Sequence, residues 1–248
     1  MTRYMAVVGY DGTAYAGWQR QPGLDTIQGR LEQVLSRLTQ QPLAVTGAGR
    51  TDAGVHAHGQ VFHFDSPKDG IDYRRAFNAL LPDDIHVFSC AAAAPDFHAR
   101  FDACWKRYDY VIGDGPYDPL RRRYVTFVSQ PLDVAAIAAA SAQLTGTHDY
   151  TSFNATPLTE RPNQVRTIFD IQAVRHGGEV TFSYWGDAFL RHQVRMMTGA
   201  LAAVGTGELD VTGLTAMMQA CDKQACTYNL PPQGLCLMEI GYRPWTRP

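Results

Sequence analysis

One stretch of the sequence reads Gly47-Ala48-Gly49-Arg50-Thr51-Asp52-Ala53-Gly54-Val55-His56-Ala57-His58-Gly59-Gln60 and lies between two apolar, strand-like runs, Leu43 to Thr46 and Val61 to Phe64. Its four glycines favour a loop, because glycine loses more backbone entropy on ordering than any other residue. Loops held on a sheet often carry binding and catalytic groups. The stretch therefore predicts a functional loop around Asp52. The plainer alternative is a turn in which Arg50 and Asp52 form a solvated ion pair worth about 0–1 kcal/mol.

The elements around this loop follow the order β-α-β-β-α-β. Strands are predicted at Arg3 to Tyr10, Leu43 to Thr46, Gln60 to Phe64 and Ile85 to Ala93. A helix begins after Asp25 or Thr26, because apolar residues then recur at helical spacing, and Asp72 opens a short second helix that ends at Leu81.

The second half of the sequence repeats this order. Its strands are predicted at Trp105 to Gly113, Thr167 to Val174, Val180 to Trp185 and Leu235 to Tyr242, and its helices at Asp133 to Leu144 and Leu190 to about Val204. Two such halves predict an α+β protein of two ferredoxin/RRM-like domains, with mainly antiparallel sheets, helices on one face and a central cleft. The predicted domains are 1–104, which carries the glycine-rich loop, and 105–248, which completes the cleft.

The composition is that of an ordinary globular protein. The chain has 248 residues, of which 45% are apolar and 19% are charged. No run approaches the roughly 18 consecutive apolar residues of a membrane span, and the N-terminus leads directly into a strand without the features of a secretion signal. Five scattered cysteines fit reduced thiols better than a disulfide framework. We therefore expect a cytoplasmic protein that does not bind membranes.

The net charge of −2 gives no overall support for a nucleic-acid partner. One segment is locally basic, with six basic residues against four acidic ones: Arg100, Lys106, Arg107, Arg121, Arg122 and Arg123 against Asp102, Asp109, Asp114 and Asp118. This segment is the best candidate for a surface that contacts phosphates.

The octet from Gly49 to His56, Gly-Arg-Thr-Asp-Ala-Gly-Val-His, resembles the signature loop of the tRNA pseudouridine synthase A family and matches it at all eight positions. Motifs similar to those of the same family occur along nearly the whole chain. They are Tyr10 to Gln21, Thr26-Ile27-Gln28, Phe97 to Ala103, Lys106 to Tyr110, Phe189 to Arg195 and Gly234 to Leu237.

This resemblance implies that uridine is isomerised to pseudouridine at positions 38, 39 and 40 of the anticodon stem-loop of tRNA, without a cofactor. The C1′–N1 bond is broken, the uracil turns, and C5 is joined to C1′. Asp52 matches the nucleophile of the family, and a carboxylate can attack the sugar carbon or stabilise cationic character there. Whether Asp52 adds to C1′, adds to the base or assists elimination to a glycal stays open.

The resemblance also implies roles for residues of the second half. Arg195 matches the arginine that pairs with the catalytic aspartate and opposes the rise in pKa that burial gives a carboxylate. Tyr108 matches the tyrosine that stacks on the uracil and that serves as, or positions, the base for the C5 proton. Contacts to RNA in the cleft are implied for Arg50, Thr51, His56, Arg100, Arg107 and Leu237, with Arg50 in the space left by the extruded nucleotide. The family further implies a homodimer whose two subunits contact one tRNA.

Two other functions are consistent with parts of the sequence. His56, His58, His63, His98 and His192 suggest a metal-dependent RNA-processing hydrolase, and Cys221 with Cys226 could form half of a metal site. No acidic residue has the spacing of a further ligand, so we predict no metal. A non-catalytic RNA-binding module is the third possibility, but it would have no use for a carboxylate that faces phosphates.

Overall fold

The computed structural model describes residues 1–247, and its strands and helices fall into two units. The first unit comprises Met1–Cys104 and Cys236–Trp245, and the second comprises Trp105–Leu235 together with Thr246 and Arg247. Within the described residues no helix has the length and apolar character needed to cross a membrane.

The first unit contains a β-α-β-β-α-β series, as predicted. Its elements are β1 (Thr2–Tyr10), α1 (Ile27–Thr39), β2 (Thr46–Gly47), β3 (His56–Ser66), α2 (Tyr73–Asn78) and β4 (Ile85–Ala92). Strand β1 lies between β3 and β4 and pairs antiparallel with both, while β2 pairs antiparallel with β3. The sheet therefore supports the glycine-rich loop from the two strands on either side of it.

Helix α1 forms because a capping residue precedes an apolar stripe. The Thr26 hydroxyl accepts a hydrogen bond from the Gly29 amide at 3.3 Å, which satisfies one of the unpaired donors at the helix start. Ile27, Leu31 and Leu35 are fully buried on one side of the helix. Replacing one of these side chains by alanine typically costs about 2–5 kcal/mol, so this stripe fixes the helix to the unit.

The second unit contains five of the six elements predicted for the second half of the sequence, and three more. In chain order they are β5 (Trp105–Gly113), β6 (Thr126–Phe127), α3 (Val134–Ser141), β7 (Gly146–Asp149), β8 (Val165–His176), β9 (Glu179–Gly186), α4 (Gln193–Gly205) and α5 (Val211–Ala220). The sheet order is β5-β9-β8-β7 with antiparallel pairing, and β6 lies parallel to β5. The sequence did not predict β6, β7 or α5, which are two short strands and a helix whose buried residues are Leu214 and Met218.

The last strand, β10 (Leu235–Gly241), lies with the first unit from Cys236 onward. Its backbone pairs in parallel with β3, with Cys236 opposite His56 and Leu237 opposite Ala57. Gly59 allows this approach, because a Cβ atom there would lie 2.3 Å from the Met238 carbonyl oxygen. The sequence placed this strand in the second domain, and pairing between residues so far apart in the chain left no local signal of the difference.

The predicted loop is shorter than expected at both ends. Strand β3 begins at His56 rather than Gln60, because β1 and β10 pair with its first residues and hold them extended despite the glycine. Strand β2 is only Thr46–Gly47, not Leu43 to Thr46. The predicted α+β class with mainly antiparallel sheets is confirmed.

Candidate active site

The segment between β2 and β3 holds Asp52 in a short, well-anchored loop. The Ala48 amide donates to the Val61 carbonyl oxygen at 2.8 Å, and the Gln60 side chain donates to the Gly49 carbonyl oxygen at 3.0 Å. The Val55 amide closes a turn onto the Asp52 carbonyl oxygen at 3.1 Å. Asp52 itself is half-buried, whereas Arg50 is exposed.

The N-terminal motif forms the support behind this loop. The Trp18 amide donates to the Thr51 carbonyl oxygen at 3.1 Å, which joins the two segments through their backbones. Gly17 adopts a left-handed conformation with φ of 90°, and a Cβ atom there would lie 2.6 Å from the same Thr51 oxygen. Only glycine combines this conformation with this approach. The similarity of Tyr10 to Gln21 to a family motif thus has a physical counterpart, since this segment shapes the loop that carries Asp52.

Thr51 and His56 are buried in the support of the loop. The hydroxyls of Thr51 and Tyr10 lie 2.8 Å apart, and burial raises the pKa of Tyr10 well above its usual range, so its hydroxyl stays protonated. The Nδ1 atom of His56 lies 3.1 Å from both the Gly12 amide and an Asp11 carboxylate oxygen. The Gly12 amide donates to Nδ1, so in this arrangement Nδ1 is the acceptor. Direct contacts of Thr51 and His56 with RNA stay a prediction.

Tyr108 and Arg195 are nearly buried in the second unit. Tyr108 lies on β5 opposite Tyr184 of β9, and its ring meets the Phe189 ring edge to face at a centroid distance of 5.1 Å. Arg195 lies in the first turn of α4 and is 9% exposed. Its Nε donates to the Leu230 carbonyl oxygen at 2.7 Å, which fixes the plane of the guanidinium group.

A segment that the sequence did not single out, 228–232, supports this arginine. The Pro231 carbonyl oxygen accepts from the Tyr110 hydroxyl at 2.7 Å, and the Asn229 side chain lies 3.1 Å from His192 Nδ1. His192 precedes α4 in the left-handed conformation, so the chain turns sharply into the helix. The segment therefore connects β5 to the start of α4. Its only sequence signal is the Pro231-Pro232 pair, which marks a stiff connection.

The remaining predicted RNA contacts lie in different surroundings. Arg100 is exposed. Arg107 makes two hydrogen bonds with the Asp109 carboxylate, at 2.9 and 2.8 Å, and its guanidinium lies 5.0 Å from the Trp185 ring centroid. Leu237 is fully buried on β10.

Ion pairs engage several charged residues of the segment 100–123. Besides Arg107 with Asp109, Arg121 pairs with Glu179 at 2.8 Å. Arg122 and Arg123 remain exposed side chains of the segment. Asp114 of the segment is in turn paired with Arg175 at 2.6 Å, so the local basic surplus stays at two.

The histidines are used in ways that do not suit a shared metal ion. The Nδ1 atom of His63 accepts from the Ala99 amide at 3.1 Å, and burial lowers the pKa of His63 below its usual value. Among residues 1–247 no group of three or more histidine, cysteine or acidic side chains is arranged to hold a metal.

Comparison with known proteins gives one consistent family. Residues 6–102 and 140–243 match the profile of the family described as tRNA pseudouridine synthase. A tRNA pseudouridine synthase A from Exiguobacterium sp. is 41% identical over 244 residues, which is 98% of both chains. That of Streptococcus equi subsp. equi is 41% identical over 248 residues, covering 98% of this chain and 99% of the relative. Among solved structures, a Cbf5-Nop10-Gar1 complex matches at 10% identity and a TM-score of 0.36, covering 94% of this chain and 57% of that one.

Proposed function

Because the chain belongs to the tRNA pseudouridine synthase family, we propose that it converts uridine to pseudouridine at positions 38, 39 and 40 of the anticodon stem-loop of tRNA. Family membership already makes it an isomerase that acts on tRNA. The proposal adds the place of the target and the residues that carry the chemistry.

The observation that carries the proposal is the unchanged octet from Gly49 to His56, held on anchored backbone around Asp52. We assign Asp52 as the group that initiates cleavage of the C1′–N1 bond. A carboxylate suits this step, because the sugar carbon gains positive character as the bond breaks. The anchoring matters, because a nucleophile displaced by about 1 Å can lose roughly a hundredfold in rate.

Tyr108 and Arg195 are the other catalytic residues of the proposal. Tyr108 stacks on the uracil after cleavage and removes, or positions the group that removes, the proton from C5 once C5 has joined C1′. Arg195 favours the ionised form of the Asp52 carboxylate. Its orientation by the Leu230 carbonyl supports this role, since a guanidinium pairs best with a carboxylate in a defined plane.

For binding, we propose that Arg50 fills the space left by the extruded uridine and that Arg100 and Arg107 contact phosphates. Arg107 would then have to exchange one of its Asp109 bonds for a phosphate oxygen. The burial of Thr51, His56 and Leu237 favours contributions made by holding the loop and β10 in place.

The test is tritium release from unmodified tRNA labelled at uridine C5. We expect Asp52→Asn to lose at least about a thousandfold in kcat while its affinity for tRNA changes little, because the variant keeps the size and the fold. Asp69→Asn is the matched control, since Asp69 is an exposed carboxylate of the same unit that accepts a surface bond from Thr2. Turnover retained by Asp52→Asn would overturn the assignment.

The position of the target uridine in tRNA is tested by a separate experiment. In tRNAs whose uridines at positions 38 to 40 are replaced by cytidine, release by the wild-type protein should disappear. Persistent release from such a tRNA would move the target elsewhere and leave the isomerase activity intact.

We also propose that the protein works as a homodimer in the cytoplasm and needs neither metal nor cofactor. Sedimentation of the purified protein at working concentration should give twice the monomer mass. Incubation with a chelator should leave tritium release unchanged, and a loss that zinc restores would revive the hydrolase alternative.

A further inference from the structure

Phe101 is the most exposed aromatic side chain among residues 1–247, with 75% of its surface accessible. It lies in the turn between β4 and β5, where its neighbours Arg100, Asp102 and Cys104 are also exposed. A single exposed apolar residue needs no explanation in itself. The turn that carries this ring is nevertheless fixed by several hydrogen bonds, both within the turn and to the rest of the unit.

Hydrogen bonds within the turn fix its backbone. The Nδ1 atom of His98 accepts from the amides of Arg100 and Phe101, at 3.2 and 3.1 Å. In return, the Asp102 carboxylate accepts from the His98 amide at 2.8 Å, and the Asp102 amide donates to the His98 carbonyl oxygen at 3.0 Å. The turn is therefore closed from both ends.

Two further bonds anchor the turn in the first unit. Ala99 is fully buried, and its amide donates to His63 Nδ1 on β3 at 3.1 Å. The Ala99 carbonyl oxygen accepts from the Tyr242 hydroxyl at 2.7 Å. Phe101 is thus displayed on a rigid support rather than on a loose loop.

The ring itself has one supported face. His98 stacks on it at a centroid distance of 4.1 Å and an interplanar angle of 25°. The guanidinium of Arg100 lies 5.9 Å from the ring centroid. Proteins that bind single-stranded RNA use an aromatic ring beside a cation: a base stacks on the ring and a phosphate contacts the cation.

The distance from the catalytic loop limits which nucleotide can reach this ring. Thr51, which precedes Asp52, has its hydroxyl 2.8 Å from that of Tyr10, and Tyr10 lies opposite Ala57 on β3, six residues from His63 or roughly 20 Å at about 3.3 Å per residue. A base at Phe101 is therefore not the uridine being isomerised.

We propose that Phe101, backed by His98, stacks on an unpaired base of the bound tRNA remote from the target uridine, and that Arg100 contacts a phosphate next to it. This inference rests on the proposed function, because it takes tRNA as the ligand. Protein contact is the weaker reading, since a stable protein interface buries more than about 1,000 Å² and this ring stands among polar neighbours.

The first test is a set of substitutions at Phe101. Phe101→Ala should raise KM for tRNA about 5- to 100-fold with kcat unchanged, because a stacking contact remote from the reaction contributes to binding alone. Phe101→Leu should behave like Phe101→Ala, and Phe101→Tyr should behave like the wild type, because the ring and not its apolar surface makes the contact. Phe88→Ala is the control, since Phe88 is another exposed ring of the same unit, and its KM should not change.

The second test detects the contact between Phe101 and tRNA by fluorescence and does not depend on catalysis. Phe101→Trp places a fluorophore on the support, and titration with unmodified tRNA should quench it beyond the quenching seen in the wild-type protein. The proposal would be overturned if KM were unchanged in Phe101→Ala or if Phe101→Leu were fully functional. It would also be overturned if Phe101→Ala changed the sedimentation of the protein and left KM unchanged. Failure of the proposed function looks different, because the wild-type protein itself would then release no tritium, while quenching of the Phe101→Trp variant stays measurable.

Discussion

The loop after β2 and the start of α4 each hold one part of the proposed catalytic machinery, and they hold it by different means. Around Asp52 the support is backbone, with amides of the loop and of the N-terminal motif bonded to carbonyls and with Gly17 packed against Thr51. Around Arg195 the support comes from side chains, which reach the carbonyls of the segment 228–232.

This difference separates two kinds of precision. The loop around Asp52 needs close approach of backbone to backbone, which an added side-chain atom would block. A substitution there either fits or clashes. An arginine oriented through carbonyl oxygens depends on hydrogen bonds worth about 1 kcal/mol each, so its requirement is graded. Substitutions in the first region should therefore act in a nearly all-or-none way, and those in the second should act by degrees.

The largest effect is expected for Gly17→Ala. The new Cβ would lie 2.6 Å from the Thr51 carbonyl oxygen, which is backbone and cannot yield without moving Asp52. We expect kcat to fall by about a hundredfold or more and the free energy of unfolding to fall by about 1–3 kcal/mol. Tritium release and thermal melting measure the two quantities.

Gly23→Ala is the control that separates the steric clash with Thr51 from the strain of a positive φ. Gly23 also has a positive φ, of 75°, but a Cβ atom there would meet nothing within 4 Å. It should lose about 1 kcal/mol of stability and no activity. Equal losses of kcat in the two variants would mean that the loop does not depend on the Gly17 contact.

An intermediate effect is expected for Arg195→Lys. Lysine keeps the positive charge but lacks the Nε–H that donates to Leu230 and the planar group that it orients. We expect kcat to fall about 10- to 100-fold with little change in KM for tRNA. A variant as active as the wild type would show that charge alone suffices and that the orientation by Leu230 has no catalytic role.

The smallest effect is expected for Tyr110→Phe, which removes the hydroxyl that donates to Pro231 and lies 2.6 Å from the Thr126 hydroxyl. We expect a loss of about 1 kcal/mol in stability and a 3- to 10-fold fall in kcat, because the segment that orients Arg195 becomes less fixed.

Tyr184→Phe provides the control for Tyr110→Phe. Tyr184 is as buried as Tyr110, and its hydroxyl is bonded at 2.8 Å to Thr198 of α4, an element other than the segment 228–232. It should lose similar stability and keep kcat. If both variants lose kcat equally, the role of Tyr110 is structural only.

The sequence predicted the parts of the molecule whose causes are local. The capped, periodic helix α1, strand β5 and the hairpin of β8 and β9 were identified from spacing and turn residues, and the octet led directly to Asp52. Three features depend on partners far away in the chain and could not be predicted. These are the pairing of β10 with β3, the burial of Thr51 and His56, and the support of Arg195 by Leu230.

The return of β10 to the first unit has a consequence for the order in which the protein is made. Residues His56 and Ala57 of β3 pair with Cys236 and Leu237, so this stretch lacks one neighbour until the ribosome has added about 130 residues beyond Cys104. At roughly 5–20 residues per second, the nascent first unit carries an open strand edge for about 7–25 s. Unpaired edges invite association with other chains, so this interval is when the growing protein is most exposed to aggregation.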